Sequence, residues 1–390
     1  MDIFISGGGI AGLTAAAALG QAGFSVYLAD PMLPVAAEGD DGSDMRTTAY
    51  LRPSVDLLER IGIWSALRDE ATPLDVLQVI DTVGQPPVET ERRAFRADDL
   101  GDGPFGWNLP NWLTRKVLSR LVAEMDGVTV RLGTGFRSML VREREALVTL
   151  TDGTQVAARL VVGADGRMSP VRHAANVGVS VNRYGQKALA FAVTHEVPHG
   201  FVSTEIYNQG GAFTTVPAPD RNGQPSSAIV WMADGAEADR RMGLSPEALA
   251  EEATERSLGE LGAMTVVSPV RAWPVVTQVA DRLTARRVAL IAEAAHVLPP
   301  IGAQGLNTSL SDVAALVAAA EHPLGEDKML KAYSDARASD VRLRAGVIDL
   351  FNRVCKTDAA PVNALRRLGL RVVHDATPVR RAVMRAGLGG

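Results

Sequence analysis

A single cysteine, Cys355, stands in a chain of 390 residues, which excludes an internal disulfide and any CxxC-type zinc or iron–sulfur site. So little cysteine also fits a reducing compartment. The histidines form no metal-ligand pattern: His173 is isolated, and His195 with His199 lacks a helical context and an acidic partner, so no metal is expected. No run approaches the roughly 18–20 apolar residues of a membrane-crossing helix. The opening apolar run has no basic segment before it and passes straight into glycines, unlike a secretory signal. Positive charge is not in excess either, since the formal net charge is −5, and the molecule as a whole is not built to grip nucleic acid. No internal repeat or low-complexity tract appears. The expectation is a soluble, cytoplasmic protein.

What the chain does contain is ordinary globular composition, 46% apolar and 22% charged, long enough for one large or two medium domains. Its first thirty residues carry the clearest message. Asp2-Ile3-Phe4-Ile5-Ser6 reads as a short strand. Gly7-Gly8-Gly9-Ile10-Ala11-Gly12 follows, with Gly7, Gly9 and Gly12 in the GxGxxG places. Residues 13–22 are alanine-rich and free of proline, which suits a helix. Gly23 ends it, and a second strand, 24–29, finishes at Asp30. Each part has a task in holding a dinucleotide. Gly7 permits the tight turn, Gly9 lets a pyrophosphate approach bare backbone, and Gly12 lets the helix lie close to the strand. The free N–H groups at the helix start, around Ile10 and Ala11, stabilise phosphate charge. Asp30 can accept hydrogen bonds from a ribose diol. This motif alone leaves FAD and NAD(P) both open.

Two later segments bear on the choice. Leu160-Val161-Val162-Gly163-Ala164-Asp165-Gly166 is an apolar strand running into an Ala-Asp-Gly turn. Arg287-Val288-Ala289-Leu290-Ile291 is another. It leads through Ala292-Glu293-Ala294-Ala295-His296-Val297-Leu298-Pro299-Pro300-Ile301-Gly302-Ala303-Gln304-Gly305-Leu306-Asn307 into a helical run, 309–320. Small residues between Gly302 and Gly305 allow a second close approach of backbone to ligand.

In these three segments the chain resembles the aromatic-ring flavoprotein monooxygenases of the para-hydroxybenzoate hydroxylase type, over nearly its whole length. The resemblance implies FAD as cofactor and NAD(P)H as co-substrate. It makes Asp165 and Gly166 the "DG" pair and puts Glu293 in the place of the "GD" acid. It also implies cofactor contacts at Gly302, Ala303, Gln304, Gly305, Leu306 and Asn307. Asp312 matches an acid that follows that segment. Asp44-Met45-Arg46-Thr47-Thr48-Ala49 and Trp107-Asn108-Leu109-Pro110-Asn111-Trp112-Leu113-Thr114-Arg115 resemble the family's two arginine-bearing segments, which nominates Arg46 and Arg115. The chain departs from the pattern in two places. Ala292-Glu293 stands for Gly-Asp, and Ala303 holds a place often given to glycine.

The implied architecture is α/β: a discontinuous Rossmann-like FAD domain (1–75, 108–180 and 275–330), an antiparallel-sheet substrate domain (76–107 and 181–274), and C-terminal helices (331–390). Alternating runs at 188–193 and 228–232 fit strands of that sheet. The implied reaction is hydroxylation of a phenolic ring with NAD(P)H and O2 through a flavin C4a-hydroperoxide. Pro299, Pro300 and Gly302 should line the flavin ring and shield it from water. His296 occupies what is usually a packing position, so a catalytic role for it is the weaker expectation. Asp349-Leu350-Phe351-Asn352, Leu365-Arg366-Arg367-Leu368 and the arginine-rich end are similar to the ubiquinone-biosynthesis hydroxylases, which implies an aromatic, polyprenylated substrate. The last thirty residues carry six arginines against one aspartate. Such an end can touch the inner face of a membrane or a biosynthetic partner, or simply pack with its arginines solvated. The alternatives are a catabolic hydroxylase of a small soluble phenol and a flavin-binding accessory protein that hydroxylates nothing. The halogenases' Trp-x-Trp-x-Ile pattern is absent. Oligomeric state, ring position and the choice of NADH or NADPH are open at this level.

Overall fold

The computed structural model describes residues 1–35, 37–38, 40, 43–101, 103–208, 210–356 and 369–388. Leu365 to Leu368 of the expected tail motif, and Gly39, Asp41 and Gly42 of the early loop, lie outside them.

The first strand, Ile3–Ser6, is fully buried and sits inside a six-stranded sheet. Its neighbours are Val26–Asp30 on one side and Leu160–Gly163 on the other, both parallel to it. Val128–Leu132 and Val288–Leu290 extend the parallel sheet outward, and Thr284–Ala285 closes it as a hairpin. Strands buried on both faces explain the unbroken apolar runs at 3–5, 160–162 and 288–291. The helix after the glycine turn, Ile10–Gln21, is buried from Ala11 to Leu19, so small alanines let it lie against the sheet. The chain order reverses at Ile3–Ser6, the switch point where open α/β sheets bind ligands beyond their carboxyl ends.

A second, larger sheet carries in order His296–Val297, Arg271–Ala280, Val179–His195, Gln224–Asp234, Gly211–Arg221, Val202–Asn208, Val76–Val83 and Val88–Arg96. The expected runs at 188–193 and 228–232 fall inside two of its strands. Its pairings are antiparallel except one: Val202–Asn208 lies parallel to Val76–Val83. Those two segments are far apart in sequence, so no tight turn dictates their direction. The sheet also takes Arg271–Ala280 and His296–Val297, which bring it to the edge of the first sheet.

The long helix Asp327–Lys356 lies against this sheet. Asn182 and Tyr184 donate to Asp349 at 2.6 and 2.5 Å, and Asn352 donates to Gln186 at 3.1 Å. The final helix, Thr377–Leu388, and the turn before it dock on the sheet's outer edge. There Arg371 donates to Glu91 at 2.5 Å and Arg380 to Asp99 at 2.9 Å. Two of the tail's arginines are therefore ion-paired within the protein.

Candidate functional site

The glycine turn is shaped by its neighbours. A methyl group on Gly7 would lie 2.3 Å from the Ala164 carbonyl, and one on Gly12 only 2.0 Å from the Gly7 carbonyl. Gly7 also holds φ +113°, a conformation that only glycine adopts without strain. These contacts draw the Ala164-Asp165-Gly166 turn onto the first turn. Gly9 differs: nothing lies within 4 Å of where its Cβ would be, and it is exposed. It is the helix N-cap without a side-chain cap, so the helix's first N–H groups point into open space. Bare backbone, unpaired donors and a helix dipole together suit a pyrophosphate.

Asp30 stands at the end of the neighbouring strand. Gly8 and Met32 donate backbone N–H bonds to its two oxygens at 2.5 and 2.7 Å, which fixes the carboxylate beside the turn. Arg115 reaches the same place from the helix Asn111–Ala123. It donates to the Gly8 carbonyl at 2.9 Å and the Met32 carbonyl at 3.0 Å, and lies 3.5 Å from Asp30. Asp165 is turned inward. Ser6 donates to it at 3.1 Å and the Val171 N–H at 3.1 Å, and Ser169 makes a short bond to it. Burial raises its pKa despite those donors. Its oxygens tie the first strand to the short helix Pro170–Ala174, beside Gly166 in its left-handed turn.

Arg46 lies elsewhere, at the small sheet formed by Thr47–Leu51, Thr72–Leu74 and Gly106–Pro110. Asp44 grips it with two bonds of 2.7 Å, and its guanidinium stacks 4.7 Å from the Trp273 ring. Burial works against its charge, but Asp44 and then Glu293 outweigh that and raise its pKa. Glu293 itself is exposed, at the end of the strand Val288–Leu290. Arg46 and Glu293 are thus brought together, while Asn111, the first residue of the helix that carries Arg115, donates to Asp44 and to the Arg46 carbonyl.

Behind Glu293 lies a buried network. The Ala292 N–H donates to Asp312 at 2.9 Å, His296 Nε2 lies 2.6 Å from it, and Arg337 donates to it at 2.8 Å. Burial pushes the Asp312 pKa up, yet His296 and Arg337 together bring it below the ordinary value. His296 is 2% exposed, so it packs behind the site and does not face it. Asn307 is likewise committed. Its amide donates to the Ala49 and Ala303 carbonyls and accepts from the Leu51 N–H and the Ser54 hydroxyl. That uses every hydrogen bond its side chain can make, so only its backbone is left for a ligand. Gln304 donates to Gly302 and Gly387 carbonyls and accepts from Arg344. Gly305 and Leu306 continue the helix Gln304–Ala319 from the left-handed turn of Gly302 and Ala303.

The loop before that helix faces the large sheet. Leu298 and Ile301 pack with Ala188, Tyr207, Ala212 and Met232, and Pro299 is buried while Pro300 is exposed. The Gly302 N–H donates to Glu205 at 3.3 Å. The partners Asp44, Trp273, Glu205 and Arg337 do not stand out in the sequence. Only Glu205, the one charge in the strand Val202–Asn208, leaves a local signal.

Comparison with known proteins agrees with this geometry. The family described as "FAD binding domain" matches residues 1–343. Ubiquinone hydroxylase UbiL of Rhodospirillum rubrum is 34% identical, over 100% of this chain and 89% of that protein. The 3-demethoxyubiquinol 3-hydroxylase of Escherichia coli is 26% identical, over 100% of this chain and 98% of its own. In fold, p-nitrophenol 4-monooxygenase PnpA from Pseudomonas putida superposes with a TM-score of 0.82 at 19% identity, over 100% of this chain and 98% of that one.

Proposed function

Because the chain belongs to the FAD binding domain family and is an FAD-dependent monooxygenase, we propose that its substrate is a phenolic ubiquinone precursor carrying an apolar tail. The observation that carries this reading is the apolar face of the large sheet, Ala188, Ala212 and Met232, packed against the loop 298–302. Flat, apolar surroundings with few polar groups suit an aromatic ring and its tail. Bound FAD supplies the redox chemistry, carrying electrons from NAD(P)H to O2 so that one oxygen atom enters the ring and the other leaves as water.

The chain's own residues bind, orient and exclude water. Gly7, Gly9, Ile10, Ala11 and Gly12 hold the pyrophosphate through bare backbone and helix N–H groups. Asp30, fixed by Gly8 and Met32, takes the ribose, with Arg115 beside it. Arg46 and Glu293 serve the cofactor's other end, and the backbone of residues 302–307 approaches it there. Asp165 and Gly166 shape the turn between these ends. Pro299, Pro300 and Gly302 lie against the flavin ring and keep solvent from the reacting atoms. His296 positions the Ala292-Glu293 turn through Asp312 and handles no proton.

No helix among the described residues is long and apolar enough to cross a membrane. Leu343, Val347 and Leu350 are nonetheless exposed along one face of the long helix, and Val379 and Val383 along one face of the last, whose opposite face carries the exposed Arg381 and Arg385. An apolar face with cations on the reverse supports peripheral contact with an anionic membrane, where a polyprenylated substrate resides.

The test is a visible spectrum of the purified protein, taken anaerobically with NADH or NADPH, with and without a 2-alkylphenol. A flavin band that bleaches faster when the phenol is present supports the reading. A protein that binds FAD yet is not reduced under any of these conditions overturns it in favour of an accessory role.

A further inference from the structure

Glu205 is a buried carboxylate on the face of the large sheet that meets the loop 298–302, and the reaction as described does not use it. It lies on the strand Val202–Asn208, two residues before Tyr207, so both side chains leave the same face of the sheet. That face also carries Ala212, which pairs with Tyr207, and it meets Leu298 and Ile301 of the flavin-facing loop. Glu205 is 8% exposed, and no cation stands beside it among the described residues. Its partners are the Tyr207 hydroxyl, in a short bond to one oxygen, and the Gly302 N–H, at 3.3 Å to the other.

Such an arrangement is unfavourable for stability alone. A carboxylate removed from water with no opposite charge carries a desolvation penalty of several kcal/mol, and one O–H with one N–H offsets only part of it. Burial accordingly pushes its pKa above the ordinary carboxylate range, against the opposing pull of Tyr207 and Gly302. An apolar residue here would pack beside Val79, its neighbour on the adjacent strand, without that penalty. A carboxylate also has about four lone-pair directions. Two are taken, which leaves the carboxylate able to accept from a further donor.

We propose that Glu205 is the polar anchor of the substrate face, accepting a hydrogen bond from the ring hydroxyl of the phenolic substrate and so setting which ring carbon is presented to the flavin. This rests on the reading that the loop 298–302 lies against the flavin. The assignment explains why a buried carboxylate with no cation beside it faces the loop 298–302, and it makes Glu205 a specificity-determining residue. A site built around a buried acceptor rejects a ligand that cannot donate to it.

The test uses 2-pentylphenol and its methyl ether, 2-pentylanisole, titrated calorimetrically into the oxidised, FAD-loaded protein. The two probes share shape and tail, and only the first can donate. The wild type should prefer the phenol by about 10- to 100-fold, the worth of one hydrogen bond to a charged acceptor. Glu205→Gln keeps an oxygen for the Gly302 N–H but loses the charge, and should cut that preference about tenfold while leaving ether binding unchanged. Tyr207→Phe removes the competing donor, so phenol binding should hold or tighten. If Glu205→Gln or Tyr207→Phe weakens both probes equally, Glu205 is only a clamp for the loop and the proposal is overturned. If the wild type binds the phenol no better than the ether, this anchor is likewise wrong while the hydroxylase reading stands. If the wild type binds neither probe, the aromatic-substrate reading itself fails.

Discussion

Ala292 and Ala303 hold φ of +55° and +54°, the left-handed region, at two places where the resembled motif has glycine. An L-residue there carries a penalty of roughly 1–2 kcal/mol, against which glycine's greater unfolded-state freedom must be set. The two positions differ in what the methyl group touches. Ala292 is buried, and removing its methyl would leave a small void, whereas Ala303 is only half-buried. Ala303→Gly should therefore stabilise the protein by about 1 kcal/mol, read as a higher urea midpoint, and Ala292→Gly should gain less. Equal gains would show that packing at Ala292 contributes nothing. At Gly9 the side-chain volume is open, so Gly9→Val should fold with unchanged thermal stability yet fail to retain FAD through gel filtration. Gly7→Ala should instead lose stability, because its methyl meets the Ala164 carbonyl. The glycine turn and Asp30 were legible because their geometry is local, compressed into one strand–turn–helix–strand unit. Asn307 was not. Its neighbours in sequence suggest a ligand contact, while its side-chain bonds go mostly to residues 49–54, far away along the chain.

Among the elements, the helices Gln304–Ala319 and Asp327–Lys356 are joined by Asp312 and Arg337, with His296 on the third side. Asp312 titrates below its ordinary value of 3.8 in the folded protein because His296 and Arg337 outweigh its burial. A depressed carboxylate contributes stability that is present above its unfolded pKa and lost as pH falls through the lower, folded one. That loss should therefore appear below about pH 4. Asp312→Asn should cost about 2 kcal/mol at pH 7, since Arg337 and His296 lose a buried charged acceptor while Arg337 keeps Asp340 at 2.7 Å. It should also flatten this part of the acid limb, measured by urea unfolding at pH 7 and pH 3. An unchanged acid limb would mean other carboxylates control it. The strands and helices themselves were largely readable from apolar runs and proline-free stretches. Their pairing was less so: the parallel contact between Val202–Asn208 and Val76–Val83 joins segments whose order in sequence carries no signal of direction.

At the scale of the whole molecule, the basic end is only partly available to a partner. Arg371 and Arg380 are spent on Glu91 and Asp99, which among the described residues of the tail leaves Arg381 and Arg385 exposed, on the helix face opposite Val379 and Val383. The membrane contact proposed above should then be modest and sensitive to salt. Cosedimentation with phosphatidylserine-containing vesicles should fall when Arg381→Glu and Arg385→Glu are combined, and should be absent with purely phosphatidylcholine vesicles. Equal binding to both vesicle types would assign the contact to the apolar stripe alone. Each of the family's three glycine- and acid-bearing turns is a contiguous stretch of sequence. The substrate face is not, because Glu205, Ala188 and Met232 meet only once the large sheet is assembled.

The hydrogen bonds that Asn307 makes to residues 49–54 also set a timetable for the chain as it leaves the ribosome. The pyrophosphate turn emerges almost at once, but its sheet waits for residues 160–163 and then 288–290. The segment bearing Arg46 pairs early with residues 106–110, but its last hydrogen bonds wait for Asn307. A nascent chain released at residue 300 would expose a finished-looking glycine turn with no partner for its far end. The two ends of the site therefore meet only late in synthesis, and premature termination anywhere before the helix Gln304–Ala319 should yield apoprotein.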